Sequence, residues 1–209
     1  MLTFPSFSIK STSIAQPLIG SFITAGIGAP SNQPLTLTLG NLTLGSGQYD
    51  NQVFIAGTQA YLIDPGGANA EIVTVQSILQ SGSNSNQIAL GPKTNVTPGG
   101  SSNPVTEHSH VSGAFGVGTW ILLHVDFNSI FVQEVDGNSG TYIYIGNSIS
   151  MTSTYKLIAK LAKVGSGSQP NFWNSGMGSP GNPFMSSEFW VLGGSGNASD
   201  SYNVSLNQV

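Results

Sequence analysis

The chain has 209 residues, with nine acids, five basic residues that are all lysine, and no cysteine, for a formal net charge of −4. So few cations exclude a phosphate-neutralising nucleic-acid surface. The lack of cysteine excludes disulfide staples, which a chain of this length does not need to bury a core. Charged residues make up 7% of the chain against about a quarter in ordinary soluble proteins, and 39% are hydrophobic, which is the reverse of the signature of disorder.

Residues 1–34 scatter Pro, Ser and Gly among isolated apolar residues with no sustained period, and are expected to form an extended N-terminal arm. Leu2, Phe4 and Phe7 in this arm are costly to leave in water at ~25 cal/mol per Å². They are therefore expected to dock on the chain's own body or on a neighbouring subunit, as an assembly strap whose removal leaves the body folded. The longest apolar stretch, Leu18 to Ala29, is interrupted by Gly20, Gly26 and Gly28 and is shorter than the ~20 residues of a spanning helix, so no membrane partner is expected. Lys10 precedes that stretch as in a signal peptide, but Pro17 interrupts it and no cleavage site follows.

From Leu35 the pattern is strict alternation, Leu35-Thr-Leu37-Thr-Leu39 and then Leu42-Thr-Leu44, which places Leu on one face of an antiparallel strand and Thr on the other. Val53–Ile55, Ala60–Ile63, Glu71–Ile78 and Gln87–Leu90 are further strands bounded by turn residues. Together they predict a small β-barrel or β-sandwich domain over 35–117. The 91–106 segment, rich in Pro and Gly, is a long loop and reads as an interaction tip.

A second β-sandwich domain is expected over 118–209. Thr119–Val125 is nearly all apolar, so both its faces should be covered. Phe131–Val135 and Thr141–Ile145 flank a five-residue hairpin turn, and Glu188–Leu192 and Tyr202–Leu206 close the chain. Thr154–Val164 has Lys156, Lys160 and Lys163 at helical spacing but also strand alternation, and is read as a strand or irregular segment in preference to a helix. The fold class is all-β, with two small antiparallel domains and an arm.

Asp64-Pro-Gly-Gly-Ala-Asn69-Ala-Glu71-Ile-Val-Thr-Val75, followed by His110-Val-Ser-Gly113-Ala114, resembles a β-module of bacteriophage virion proteins. In that module an Asp-turn-Asn-x-Glu-x-Val-x-Val hairpin precedes a His-x-x-Gly-Ala turn. Asn138-Ser-Gly-Thr-Tyr-Ile-Tyr-Ile-Gly146, Leu157–Leu161, Phe189–Leu192 and Val204-Ser-Leu206 are similar to small β-sandwich domains of phage head decorations and fibres. The two resemblances span Tyr61 to the C-terminus, and the long 91–106 insertion departs from them. They imply a non-enzymatic structural protein at the capsid surface of the virion. It would be a decoration (cement) protein acting as a homotrimer on the major capsid protein, with no cofactor. The alternative they imply is a receptor-binding head- or tail-fibre module that holds host glycans on Tyr142, Tyr144, Trp173 or Trp190.

His108-x-His110, with Glu107 and His124 nearby, carries metal-ligand residue types, and alternate strand positions would aim both imidazoles to one side. The resemblance instead treats His110 as a packing and hydrogen-bonding residue, and that reading is preferred. Glu71 in a strand needs a donor, either a backbone amide or His110. The remaining acids, Asp64, Asp126 and Asp136 among them, are read as turn-capping residues, and no nucleophile–base pair or phosphate loop stands out. Phe172, Trp173 and Phe184, in a Pro/Gly-rich loop, join Leu2, Phe4 and Phe7 as candidate intersubunit contacts.

Overall fold

The computed structural model describes residues 4, 6–10, 14–28, 32–42, 49–79, 86–92, 104–113, 117–135, 142–147, 157–162, 172–179, 181–193 and 201–207. The protein is all-β, as expected. Its chain divides into two compact units that interleave in sequence: Gly20–Asn41 with Tyr49–Val125, and Met1–Ile19 with Leu42–Gln48 and Asp126–Val209.

The unit built mainly from 20–125 holds one six-stranded antiparallel sheet. In chain order its strands are β3 (Gly20–Phe22), β4 (Leu35–Thr38), β5 (Gln59–Ile63), β6 (Glu71–Leu79), β7 (Gln87–Gly91) and β8 (Trp120–His124), and they lie side by side as β3-β8-β5-β6-β7-β4. The Leu/Thr alternation of β4 behaves as its period demands, with Leu37 buried and Thr36 exposed. β8 sits between β3 and β5 with its first four residues buried, so its apolar run is covered on both faces as expected. It belongs to this sheet, however, and not to the following domain, which moves the expected boundary at 117/118 to 125/126. Val53, expected to open a strand, ends a short 3-10 turn over Asp50–Val53.

The other unit holds two four-stranded antiparallel sheets and a two-stranded ribbon. Its strands are β1 (Phe7–Lys10), β2 (Gln16–Pro17), β9 (Asp126–Phe127), β10 (Ser129–Glu134), β11 (Tyr142–Gly146), β12 (Leu157–Ala162), β13 (Phe172–Asn174), β14 (Phe184–Met185), β15 (Trp190–Gly193) and β16 (Ser201–Asn207). They are arranged as β1-β16-β10-β13, β12-β11-β15-β2 and β14-β9. In the first sheet the register lines up Phe7, Val204 and Val132 across three strands, and Leu206 with Ile130, all buried. In the second sheet Ile143 and Ile145 are the buried counterparts. A polar tie joins the two sheets: buried Gln16 on β2 donates from Nε2 to the Tyr202 hydroxyl of β16 at 2.6 Å and to the Lys10 carbonyl at 2.9 Å.

Three expectations change here. Residues 1–34 do not make a separate arm: β1 pairs with β16, β2 with β15 and β3 with β8. The physical cause is the one that made the arm costly in water, because Phe4, Phe7, Ile9, Leu18, Ile19 and Ile23 are all buried. Phe4 packs edge-on against Phe127 at 5.4 Å, so Phe4 and Phe7 serve the chain's own core, and Leu2 lies outside the described residues. Next, β10 and β11 do not form a hairpin. They lie in different sheets, so the connection between them crosses from one sheet to the other. Finally, β12 takes the strand reading of the Thr154–Val164 ambiguity, pairing with β11. Lys156, Lys163 and most of the 91–106 loop lie outside the described residues.

Candidate functional site

A group of buried polar side chains in the six-stranded unit gathers at one end of β5, β6 and β8. β5 ends at Ile63, and a turn through Pro65–Gly67 reverses the chain, with Gly66, Gly67 and Asn69 all at positive φ. Glycine accepts that geometry freely, and asparagine better than most residues. The turn is closed by hydrogen bonds from the Gly67 amide to the Asp64 carbonyl (3.0 Å) and from the Asp64 amide to the Ala68 carbonyl (2.9 Å). Asp64 and Glu71 thus flank one tight reversal. His110 arrives from another segment, where it pairs backbone to backbone with Ile27 at 2.9 Å in both directions.

The imidazole of His110 lies between the two carboxylates. Nδ1 is 2.9 Å from Asp64 Oδ1 and Nε2 is 2.9 Å from Glu71 Oε1. Ionised carboxylates only accept, so both contacts are hydrogen bonds when both ring nitrogens carry a proton. Glu71 also accepts the Glu107 amide (2.8 Å) and the His108 amide (3.0 Å). Asp64 accepts Asn69 Nδ2 at 2.7 Å and the Thr119 hydroxyl. All three ionisable groups are buried, with His110 4% exposed and each acid 5%. Burial pushes the Asp64 carboxyl up, but the hydrogen bonds from Thr119, His110 and Asn69, with the charge of His110, outweigh it and hold the group below its ordinary range.

This arrangement fastens backbone. One knot ties the β5–β6 turn, the 107–110 segment and Thr119 at the entrance to β8 through buried, charge-assisted hydrogen bonds. Thr119 aims its hydroxyl at the carboxylate, and the second ring nitrogen of His110 is held by Glu71, so the imidazole faces no nucleophile.

Gly113 follows from the same local fold. A Cβ there would strike the backbone of Gly118, and one on Gly118 would lie 2.6 Å from Gly113 N. Two backbone segments pass too closely for any side chain at that crossing.

The structure places the remaining candidates as follows. His108 is exposed while His110 is buried, and both nitrogens of His110 are committed to carboxylates, so the pair does not converge on an open metal position. His124, at the end of β8, stacks on Tyr61 at 5.9 Å instead. No group of three or more His, Cys, Asp or Glu among the described residues has metal-binding geometry. Asp126 is exposed, and Asp136 lies outside the described residues. Trp173 and Phe184 are half-buried and meet in an aromatic cluster on buried Phe189, each with its ring 6.0 Å away, whereas Phe172 is 62% exposed. Of the expected sugar platforms, Trp190 is in the core and Tyr144 is half-buried with Lys160 5.6 Å from its ring centre.

Sequence reasoning missed Thr119, Ser21 and Asn51. Ser21 donates to buried Asp50, and Asn51 Nδ2 donates to the Leu79 and Gln87 carbonyls at 2.8 and 3.1 Å, closing the β6–β7 hairpin end. Polar residues at core positions are too common in turns to stand out by type. The Asp50-Asn51 dipeptide, one residue before the apolar pair Val53-Phe54, is the available hint. Comparisons with protein-family models, curated proteins and solved structures found no match.

Proposed function

We propose that this chain is a structural virion protein that decorates a bacteriophage capsid, assembling as a homotrimer and cementing the major capsid protein at the particle surface. The observation that carries the reading is the knot at His110. Asp64, Asn69, Glu71, His110 and Gly113, the residues on which the resemblance to the phage β-module rests, each have a structural job in it or beside it. The resemblance implies a packing histidine, and a buried histidine that binds two strands' carboxylates is what such a rigid, non-catalytic module requires.

Assembly is supported by the surface. With 7% charged residues, copies approach one another with little repulsion and little charge to desolvate. β12 is the outer strand of its sheet and exposes Leu157 (47%) and Ile158 (37%) where its pairing with β11 is irregular. An edge strand with apolar side chains is a template for a further chain, and a second copy of this protein is the partner we assign to it. Three-fold arrangement then lets weak contacts with a capsid lattice add through avidity.

Counting the protein in purified particles tests this. A decoration protein is present in numbers comparable to the major capsid protein. A count of a few copies per particle would overturn the reading and favour a fibre.

A further inference from the structure

We propose that the outer face of the β1-β16-β10-β13 sheet binds a neutral oligosaccharide. This goes beyond the assembly reading and does not depend on it, since the residues involved are not those of the β12 edge.

The strand register sets up the surface. Ser8, Asn203, Gln133 and Phe172 are direct neighbours across the four strands, and Ser205, Phe131 and Asn174 form the next row on the same face. Opposite residues of antiparallel strands project to one side, so these rows face outward while Val132, Val204 and Phe7 face the core. A shallow, open depression of about 350 Å³ lies on this face, lined by Ser6, Phe7, Ser8, Gln133, Asn203 and Ser205. Its polar lining consists of three hydroxyls and two primary amides, with no ionisable side chain.

Those groups suit a ligand made of hydroxyls. Hydroxyls and carboxamides both donate and accept, as sugar hydroxyls do, whereas a charged ligand would meet no counter-charge in the lining. Some of the capacity is used internally: Ser8 Oγ donates to Asn203 Oδ1, and the Ser6 and Ser205 hydroxyls are 2.9 Å apart. These contacts fix rotamers and so organise the surface before a ligand arrives. The carboxamide of Gln133, in the centre of the row, makes no side-chain hydrogen bond among the described residues, and its donors and acceptor are available.

An aromatic platform adjoins the amides. Phe172, the direct neighbour of Gln133, stacks on Phe131 with ring centres 5.3 Å apart and planes 26° apart, and remains 62% exposed. Phe131 supports one side of the ring and leaves Phe172 as a rigid apolar plate beside a hydroxyl- and amide-lined depression. A few placed polar groups beside an aromatic surface are what a sugar-binding site presents, with the C–H face of the pyranose lying on the ring. From Ser8 to Phe172 is three strand spacings, roughly 14 Å, which is longer than one sugar ring, so the ligand is an oligosaccharide.

Isothermal titration of the full-length protein with maltohexaose, cellohexaose, laminarihexaose, mannohexaose and chitohexaose tests this, with polygalacturonate as the anionic arm. The expected result is saturable binding of at least one neutral hexasaccharide, weakened about tenfold or more by Phe172→Ala and separately by Gln133→Ala. Both variants should keep the wild-type melting temperature, and Met177→Ser, an exposed change outside the lining of the depression, should bind as wild type does. Silence towards all five neutral sugars, binding of polygalacturonate alone, or binding that survives both substitutions would each overturn the proposal.

Discussion

Replacing His110 by alanine would leave two buried carboxylates, Asp64 and Glu71, each without the ring nitrogen that now lies 2.9 Å away. Breaking a buried pair by deleting one partner typically costs about 3–5 kcal/mol. His110→Ala should lower the urea midpoint accordingly, with an unchanged m-value, and a loss under about 1 kcal/mol would mean the knot does not fasten the unit. Asp64 adds a pH dependence. Its folded pKa lies below the ordinary value of 3.8, so its contribution is fully present above pH 3.8 and disappears as pH falls through the lowered folded value. Buried Tyr202 acts at the other end. Its hydroxyl is raised above the ordinary 10.0 by burial, so its contribution is present below pH 10.0 and is lost in stronger alkali. Equilibrium unfolding across pH should therefore show acid and alkaline limbs, the first blunted in Asp64→Asn and the second in Tyr202→Phe. At this scale the sequence made Glu71's need for a donor legible, because a carboxylate inside an alternating strand stands out. It did not announce Thr119, whose hydroxyl opens an apolar run that reads as strand alone.

Strands were legible where an apolar or alternating run was bounded by turn residues. β4, β5, β6, β7, β10, β11, β15 and β16 lie close to their expected positions. β1, β2 and β3 were not, being four, two and three residues long with Pro17 inside β2 and Gly20 inside β3, so no window held a sustained period. Pairing was less visible still. Phe131–Val135 and Thr141–Ile145 have a hairpin's spacing, yet β10 and β11 take partners in separate sheets, because a turn's length limits but does not decide which strands meet. The glycine at 113 belongs to this scale. Its neighbour across the crossing is the backbone of Gly118, which cannot swing aside as a side chain would. Gly113→Ala should cost about 1–3 kcal/mol through forced backbone shifts, measured by denaturant titration, whereas Gly28→Ala, with open space around the added carbon, should be close to neutral. Equal effects at the two positions would show that the crossing is not tight.

For the whole molecule, composition was the most informative level and domain division the least. Alternating apolar patterns with almost no charge gave the all-β class, but both expected domains were continuous segments, whereas the units interleave, with 1–19 joining 126–209. A hydrophobic pattern tells which face of a strand is buried and says nothing of the sheet it joins, so β8, expected in the 118–209 domain, lies instead in the sheet of the preceding unit. Phe4 and Phe7, expected to dock as a strap, are core, and the exposed apolar residues that remain for assembly include Leu157 and Ile158 on the β12 edge. The proposed function requires copies of this nearly uncharged protein to join one another. Sedimentation of the full chain, 21.6 kDa as a monomer, tests it most directly. The account predicts a species of three times that mass, reduced to monomer by Leu157→Lys combined with Ile158→Lys at unchanged melting temperature. A wild-type protein that stays monomeric at the highest concentration reached, or a trimer indifferent to both lysines, would contradict it.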